Sequence, residues 1–281
     1  MRTRTCRKIK GLAKNGFLFY DDFMTENDSL GALGKKIFFL HPSGVIQNQV
    51  IPELAQEELE VYTAKNEEKL RQGLKKYPDS IVFACINEGM KESAWEEWIR
   101  GVMTSQETAK VGVGIITSAA DDKIRYKYLE QLNVTCGYTV LKADISVVIK
   151  QLITILNSAN AKGRRKYIRA MTNQETNTTV NLPLHGTFVN GRIKDVSVVG
   201  FSCSFDEDPG LVKNSLFGDI QIRLQSQLIK AEGIVFGSRM DGGEKTYVVL
   251  FTQRIDPDVR TRIRKFIQSF MQTKMDFEIN G

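Results

Sequence analysis

Between Lys35 and Ala159 the chain alternates short apolar runs with longer segments of helical period, and no other feature limits the fold so narrowly. Lys36 to Leu40 (KIFFL), Leu59 to Ala64 (LEVYTA), Ser80 to Ile86 (SIVFACI), KVGVGIITS and YTVLK read as strands. The segments GVIQNQVIPELA, NEEKLRQGLKKY, ESAWEEWIRGVMT, DDKIRYKYLEQL and DISVVIKQLITILNSA read as helices, with Pro52 disturbing the first and an Asp capping the fourth. Buried strands separated by helices need crossover connections, so the pattern predicts an α/β doubly wound parallel five-stranded sheet with helices on both faces.

After Asn157 to Gly163 (NSANAKG) the period changes. TTVNLPL, GRIKDVSVV, GFSCSF, DIQIRLQ, LIKAEGIVFGS and KTYVVLFTQ are short strands, with DEDPG and RMDGGE as turns. They predict a six-stranded antiparallel β-barrel. A C-terminal helix follows, with Asp256 to cap it and Pro257 at its first position. Its apolar stripe of Val259, Ile263, Phe266, Ile267 and Phe270 should lie on the barrel, leaving Arg260, Arg262, Arg264 and Lys265 solvated.

The composition, 42% hydrophobic and 26% charged, is that of an ordinary globular protein and excludes a largely disordered chain. A net charge of +6 admits an anionic partner, but 39 basic against 33 acidic residues is too mild an excess to demand nucleic acid. Cys6, Cys85, Cys136 and Cys203 form no CxxC pair, which argues against a zinc site or disulfide framework and fits a reducing cytoplasm. No window approaches the length of a membrane span, and the apolar run Phe17 to Tyr20 is too short for a signal-peptide core. Neither His41, at a strand-to-helix turn, nor His185, at a strand start, has a second ligand or a nucleophile at useful spacing, so no metal site and no catalytic triad is expected. Trp95 and Trp98 are three apart on one helix, one of them core or an interface anchor.

The first half resembles the receiver domain of two-component response regulators. YPDSIVFACI matches its central strand, GIITSAADD its fourth strand with a hydroxyl-bearing end, and GYTVLKADISVVIKQLITIL its fifth strand, lysine and last helix. By position, Thr117 or Ser118 would be the family's hydroxyl and Lys142 its lysine. The chain departs where the chemistry lies. The first strand runs into His41 to Gly44 and the third ends in Ala84 and Cys85, so neither supplies the carboxylates that hold magnesium and accept a phosphoryl group. The half is expected to serve contact with an unidentified downstream protein partner, or a homodimer, rather than phosphotransfer.

Two stretches of the second region belong together. GRRKYIRA, Gly163 to Ala170, sets Arg165 and Arg169 four apart, and KDVSVVG sets Asp195 two before Ser197 and five before Gly200. On a strand Asp195 and Ser197 point to one face, and Gly200 permits a close backbone approach. A guanidinium fork suits phosphates and the N7/O6 edge of guanine, while a carboxylate accepts from guanine's N–H edge. RRKYIRA followed by KDVSVVGF resembles the paired RxxxR and (D/N)xSxxG pattern of PilZ domains, and the resemblance covers roughly Ala161 to the C-terminus. It implies a receptor for the bacterial second messenger cyclic di-GMP. In it Arg165 and Arg169 would clamp a guanine edge and phosphates, Asp195 and Ser197 would bond the other side, Gly200 would let the backbone approach, and Arg164 could stack on a base. Tyr167 could pack on the barrel or stack on a base.

The expected organisation is a basic extension at 1–34, a receiver-like α/β domain at 35–158, an arginine-bearing linker at 159–170, and a PilZ-like barrel with its helix at 171–281. The expected function is a non-enzymatic cytoplasmic sensor, without cofactor, in which cyclic di-GMP orders a mobile linker and reorients the receiver-like half. The alternative is a basic β-barrel binding single-stranded nucleic acid.

Overall fold

The structure, a computed structural model, describes residues 34–141, 144–172 and 177–280. The basic extension up to residue 33, with Cys6 and the run Phe17 to Tyr20, and also Lys142, lie outside the described residues.

The first half is the expected parallel sheet. Strands β1 (Ile37–Leu40), β2 (Val61–Ala64), β3 (Ile81–Cys85), β4 (Gly112–Thr117) and β5 (Tyr138–Val140) stand in the order β2-β1-β3-β4-β5, paired in parallel. Helices α1 (Ile51–Gln56), α2 (Glu67–Lys76), α3 (Glu92–Thr104) and α4 (Asp122–Tyr126) lie in the crossovers, and α5 (Ile145–Ser158) follows the last strand. Asn66, Asp121 and Asp144 each accept from a backbone N–H of the first turn, which is why α2, α4 and α5 start where they do. Pro52 does not break its helix. It lacks the N–H that would bond four residues back, and a π-helical turn at Ile46–Val50 absorbs the change just before α1.

Side chains from both sheet faces are buried. Phe38 packs on one side and Phe39, stacked on Phe83, on the other, each fully buried and worth about 1.5–3 kcal/mol. Trp95 and Trp98 are both buried, edge to face, rather than one of them. At the carboxyl end of the sheet, where α/β folds commonly place ligands, His41 closes the surface. Its ring meets Trp95 edge-on, bonds Glu67 Oε2 at 3.1 Å, and lies so close to Gly89 that an added Cβ would fall 2.5 Å away. The end of β3 presents Cys85, whose thiol burial pushes up to about 12. Thr117 is buried, its Oγ1 accepting from Ala119 N, and Ser118 is exposed.

The second half is a closed barrel. Strands β7 (Thr178–Leu184), β8 (Thr187–Ser197), β9 (Gly200–Phe205), β10 (Leu216–Leu224), β11 (Gln227–Asp241) and β12 (Glu244–Phe251) pair antiparallel in the order β8-β7-β10-β11-β12-β9, and β9 closes on β8. Strand β8 begins four residues earlier than GRIKDVSVV suggests. The two-residue turn His185-Gly186, both residues at positive φ and both exposed, fits a hairpin. A short strand unforeseen in the sequence, β6 (Ala170–Met171), pairs with β8 outside the ring.

The last helix, α6 (Pro257–Asn280), corrects an expectation. Its 24 residues span about 36 Å, longer than the barrel needs. Ile263, Phe266, Ile267 and Phe270 join the barrel core as expected, but Met275 joins the core of the α/β half, and Ile279 lies against Gly73. Gln272 explains the docking. Strand β2 is a sheet edge with backbone groups to satisfy, and the Gln272 amide accepts from Thr63 N at 2.8 Å and donates to Thr63 O at 3.0 Å, imitating a neighbouring strand. Arg260 and Lys265 are exposed as expected. Arg262 instead donates to Leu228 O at 3.0 Å, and Arg264 pairs with Glu58 of the α/β half at 3.2 Å, because the helix sits between two halves that both offer acceptors. Among the described residues no helix is long and apolar enough to cross a membrane.

Candidate functional site

The arginine stretch runs from the end of α5 into β6, and it is tied down where a loose linker was expected. Lys35 N donates to Ala161 O at 2.8 Å, Lys162 pairs with Glu57 at 3.1 Å, and Ile168 N donates to Glu58 Oε2 at 3.0 Å. Acidic partners from the turn after α1 thus offset the mutual repulsion of the basic run.

The pairing of β6 with β8 brings the two sequence motifs together. Ala170 faces Val196 on the core side, and Met171 faces Asp195 on the outer side. Arg169, two residues before Met171, therefore lies on the face of Asp195. Its Nη1 stands 4.0 Å from Asp195 Oδ1, with both side chains nearly buried, 7% and 4% exposed. Asp195 Oδ2 accepts from the hydroxyl of Ser202, itself fully buried. A carboxylate held by one hydroxyl and faced by one guanidinium is fixed in orientation, and it in turn helps to place the guanidinium.

Ser197 and Gly200 occupy different roles in this geometry. Ser197 Oγ donates to Gly200 O at 3.2 Å and accepts from Val199 N at 3.4 Å, so the hydroxyl fastens the turn between β8 and β9. Gly200 lies where β9 meets β12, and an added Cβ would fall 2.3 Å from Val249 O and 3.0 Å from Leu250 Cα. The close approach it permits is by the barrel's own backbone. Arg164 is exposed. Tyr167 packs against the barrel core.

Arg165 and Arg169 line a cavity of about 310 Å³ between the linker, α6 and the α/β half, together with Tyr167 and Met171. Helix α6 contributes Phe270, Lys274 and Glu278. The α/β half contributes Lys36, Glu58, Glu60, Tyr62 and Tyr77. Lys36 pairs with Glu60 and lies over the rings of Tyr62 and Tyr77, at 5.5 and 4.9 Å from their centroids. Tyr62 donates to Glu60 and Tyr77 to Glu278, and burial pushes both phenols above their ordinary range. Cations, carboxylates and aromatic faces converge on one space, a lining suited to a flat, polar, anionic ligand. Asp195, Ser197, Gly200 and Arg164 do not line this cavity, and Asp195 stands behind Arg169.

Sequence reasoning missed the wall from the α/β half, because nothing local marks Lys36, Glu58 or Tyr62 as neighbours of an arginine motif more than a hundred residues away. Ser202 was within reach. In GFSCSF the alternation puts Ser202 and Ser204 on one face, and a hydroxyl on the strand pairing with Asp195 is an obvious acceptor's partner.

No curated protein matches the chain. Among solved structures, the barrel half is similar to the "PilZ domain with c-di-GMP of YcgR from Escherichia coli", at 15% identity and TM-score 0.35 over 42% of this chain and 98% of that one. It is also similar to YcgR from Escherichia coli in complex with c-di-GMP, at 16% identity and TM-score 0.37, over 42% of this chain and 51% of that one. A response regulator from Thermotoga maritima is similar at 17% identity and TM-score 0.37, over 44% of this chain and 99% of that one. The model of the PilZ domain matches residues 163–269, from the first residue of the arginine stretch to the part of α6 that lies on the barrel, and this segment is a PilZ domain.

Proposed function

We propose that the protein is a cyclic di-GMP-binding effector, without catalytic chemistry or cofactor, whose ligand is held by Arg165 and Arg169, the latter positioned by Asp195 of the barrel. The observation that carries this reading is the meeting of Arg169 and Asp195, nearly buried and 4.0 Å apart, at the wall of a cavity that Arg165 shares. Guanidinium forks are matched to phosphates and to the N7/O6 edge of guanine, and Asp195 backs one of the two forks from behind. The PilZ assignment of residues 163–269 and the ligand of the similar YcgR domain support the same chemistry. Arg164 stacks on an exposed base, while Ser197 and Gly200 hold the turn and the barrel seam on which Asp195 depends.

The division of labour is a receiver-like module at 35–158, an arginine-bearing linker at 159–170 and a PilZ-like barrel with its helix at 171–281. Ligand binding reorders the linker, and because the linker touches Glu57 and Glu58, the α/β half registers the change and passes it to a protein partner. The protein works in the cytoplasm, where the messenger is made. The test is displacement of a fluorescent cyclic di-GMP analogue. Excess cyclic di-GMP should displace it, while GTP and a single-stranded oligonucleotide should not. Displacement by the oligonucleotide, with a steep loss of affinity in salt, would favour a nucleic-acid-binding barrel instead.

A further inference from the structure

The cavity is small for a dinucleotide, and a contact that keeps it small comes from the α/β half. Its volume of about 310 Å³ is at the lower end of the ~300–1,000 Å³ of small-molecule sites, whereas cyclic di-GMP carries two purines and two phosphates. One wall must move for the ligand to enter. Helix α6 is a poor candidate, since it is packed into both cores and fastened at Thr63 and Tyr77. The linker is the better one. The hydrogen bond from Ile168 N to the α/β half falls inside the arginine motif, one residue before Arg169.

Glu58 makes that tie. It stands in the turn between α1 and β2 with φ of 57°, a left-handed conformation that only a few per cent of non-glycine residues adopt. From there its two oxygens serve two elements of the barrel half: Oε2 accepts from Ile168 N at 3.0 Å and Oε1 from Arg264 Nη2 of α6 at 3.2 Å. The side chain is 16% exposed and also lines the cavity. Burial pushes its carboxyl above the usual range, and the Ile168 and Arg264 contacts, with the charge of Lys162, oppose the shift.

We propose that Glu58 is a positioning residue that latches the arginine motif closed, so that the α/β half sets the affinity of the PilZ domain for its dinucleotide. The proposal rests on the dinucleotide reading above and adds its regulation. While Glu58 holds Ile168, the linker stays against the α/β half, and the cavity stays narrow. The measured affinity is then the intrinsic affinity reduced by the fraction of molecules in which the linker is released. By the same linkage, bound ligand frees Glu58 from Ile168 and leaves it paired with Arg264 alone, which gives the α/β half a local change to transmit.

The test is calorimetric titration of the full-length chain with cyclic di-GMP, for the wild type, Glu58→Ala and Glu58→Gln. Glu58→Ala removes both contacts, and losing a hydrogen bond to a charged group should raise the affinity about tenfold. Glu58→Gln keeps a carbonyl for Ile168 N and should raise it less; being nearly isosteric, it also carries the test if the alanine variant folds poorly. A purely structural Glu58 would lower the melting temperature and leave the affinity unchanged or weaker, so tightening is the diagnostic readout. If the wild type binds and neither variant binds more tightly, the latch is refuted and the receptor reading stands. If the wild type gives no binding heat, the receptor reading fails and the latch with it.

Discussion

Replacing Asp195 separates the two things this carboxylate does. It is 3% exposed, accepts from the buried Ser202 hydroxyl, and faces the Arg169 guanidinium at 4.0 Å. At that separation two unit charges interact by about 4 kcal/mol for an effective dielectric near 20, and most of this offsets the cost of having taken both out of water. In Asp195→Ala the Ser202 hydroxyl loses its acceptor and the Arg169 cation loses its facing charge in a nearly closed space. The expected loss of stability is about 2–4 kcal/mol. In Asp195→Asn the amide carbonyl still accepts from Ser202, so only the charge is lost and the cost falls to about 1–2 kcal/mol. Urea unfolding followed by circular dichroism measures both, with the midpoints ordered wild type, Asn, Ala. Affinity for cyclic di-GMP should fall in both variants, by about 1–3 kcal/mol in Asp195→Ala. If Asp195→Ala unfolds at the wild-type midpoint, the Arg169 and Ser202 contacts contribute nothing, and the account of how the two motifs meet is wrong.

Gly200→Ala should destabilise the barrel by about 3 kcal/mol, because its Cβ would fall 2.3 Å from Val249 O and backbone cannot move aside cheaply; an unchanged thermal midpoint would show that the seam tolerates the methyl. Gln272→Ala should cost about 1–3 kcal/mol by leaving the Thr63 backbone groups at the β2 edge without their amide partner, and should speed hydrogen exchange at Thr63 N. Incubation with acetyl phosphate should add no phosphoryl mass to the chain, since the ends of β1 and β3 present His41 and a raised-pKa Cys85 rather than carboxylates; a gain of one phosphoryl group would reopen the receiver chemistry.

The parallel sheet and the barrel were legible because their signals are local. Helix spacing, Asp and Asn caps, and buried strand runs such as Ile81–Cys85 each state their element without help from distant residues. The hairpin strands Thr178–Leu184 and Gly200–Phe205 matched residue for residue. What escaped depends on contacts far apart in the chain. Strand β6 has two residues and exists because β8 offers it an edge. Helix α6 carries an apolar stripe that reads as barrel core throughout, and only the unpaired edge at Thr63 gives Gln272 and Met275 their place on the other half. The candidate site shows the same division. Arg165, Arg169 and Asp195 are recognisable from spacing and chemistry, yet the period-two rule that grouped Ser197 with Asp195 says nothing of the turn that occupies its hydroxyl.

The central claim is that Arg165 and Arg169 grip the same small anion. Calorimetric titration of the wild type, Arg165→Ala and Arg169→Ala with cyclic di-GMP tests it most directly, since Arg165 and Arg169 line one cavity. The wild type should bind and each variant should lose more than about tenfold in affinity, the scale of a lost charge-assisted contact. Wild-type affinity in both variants would contradict it.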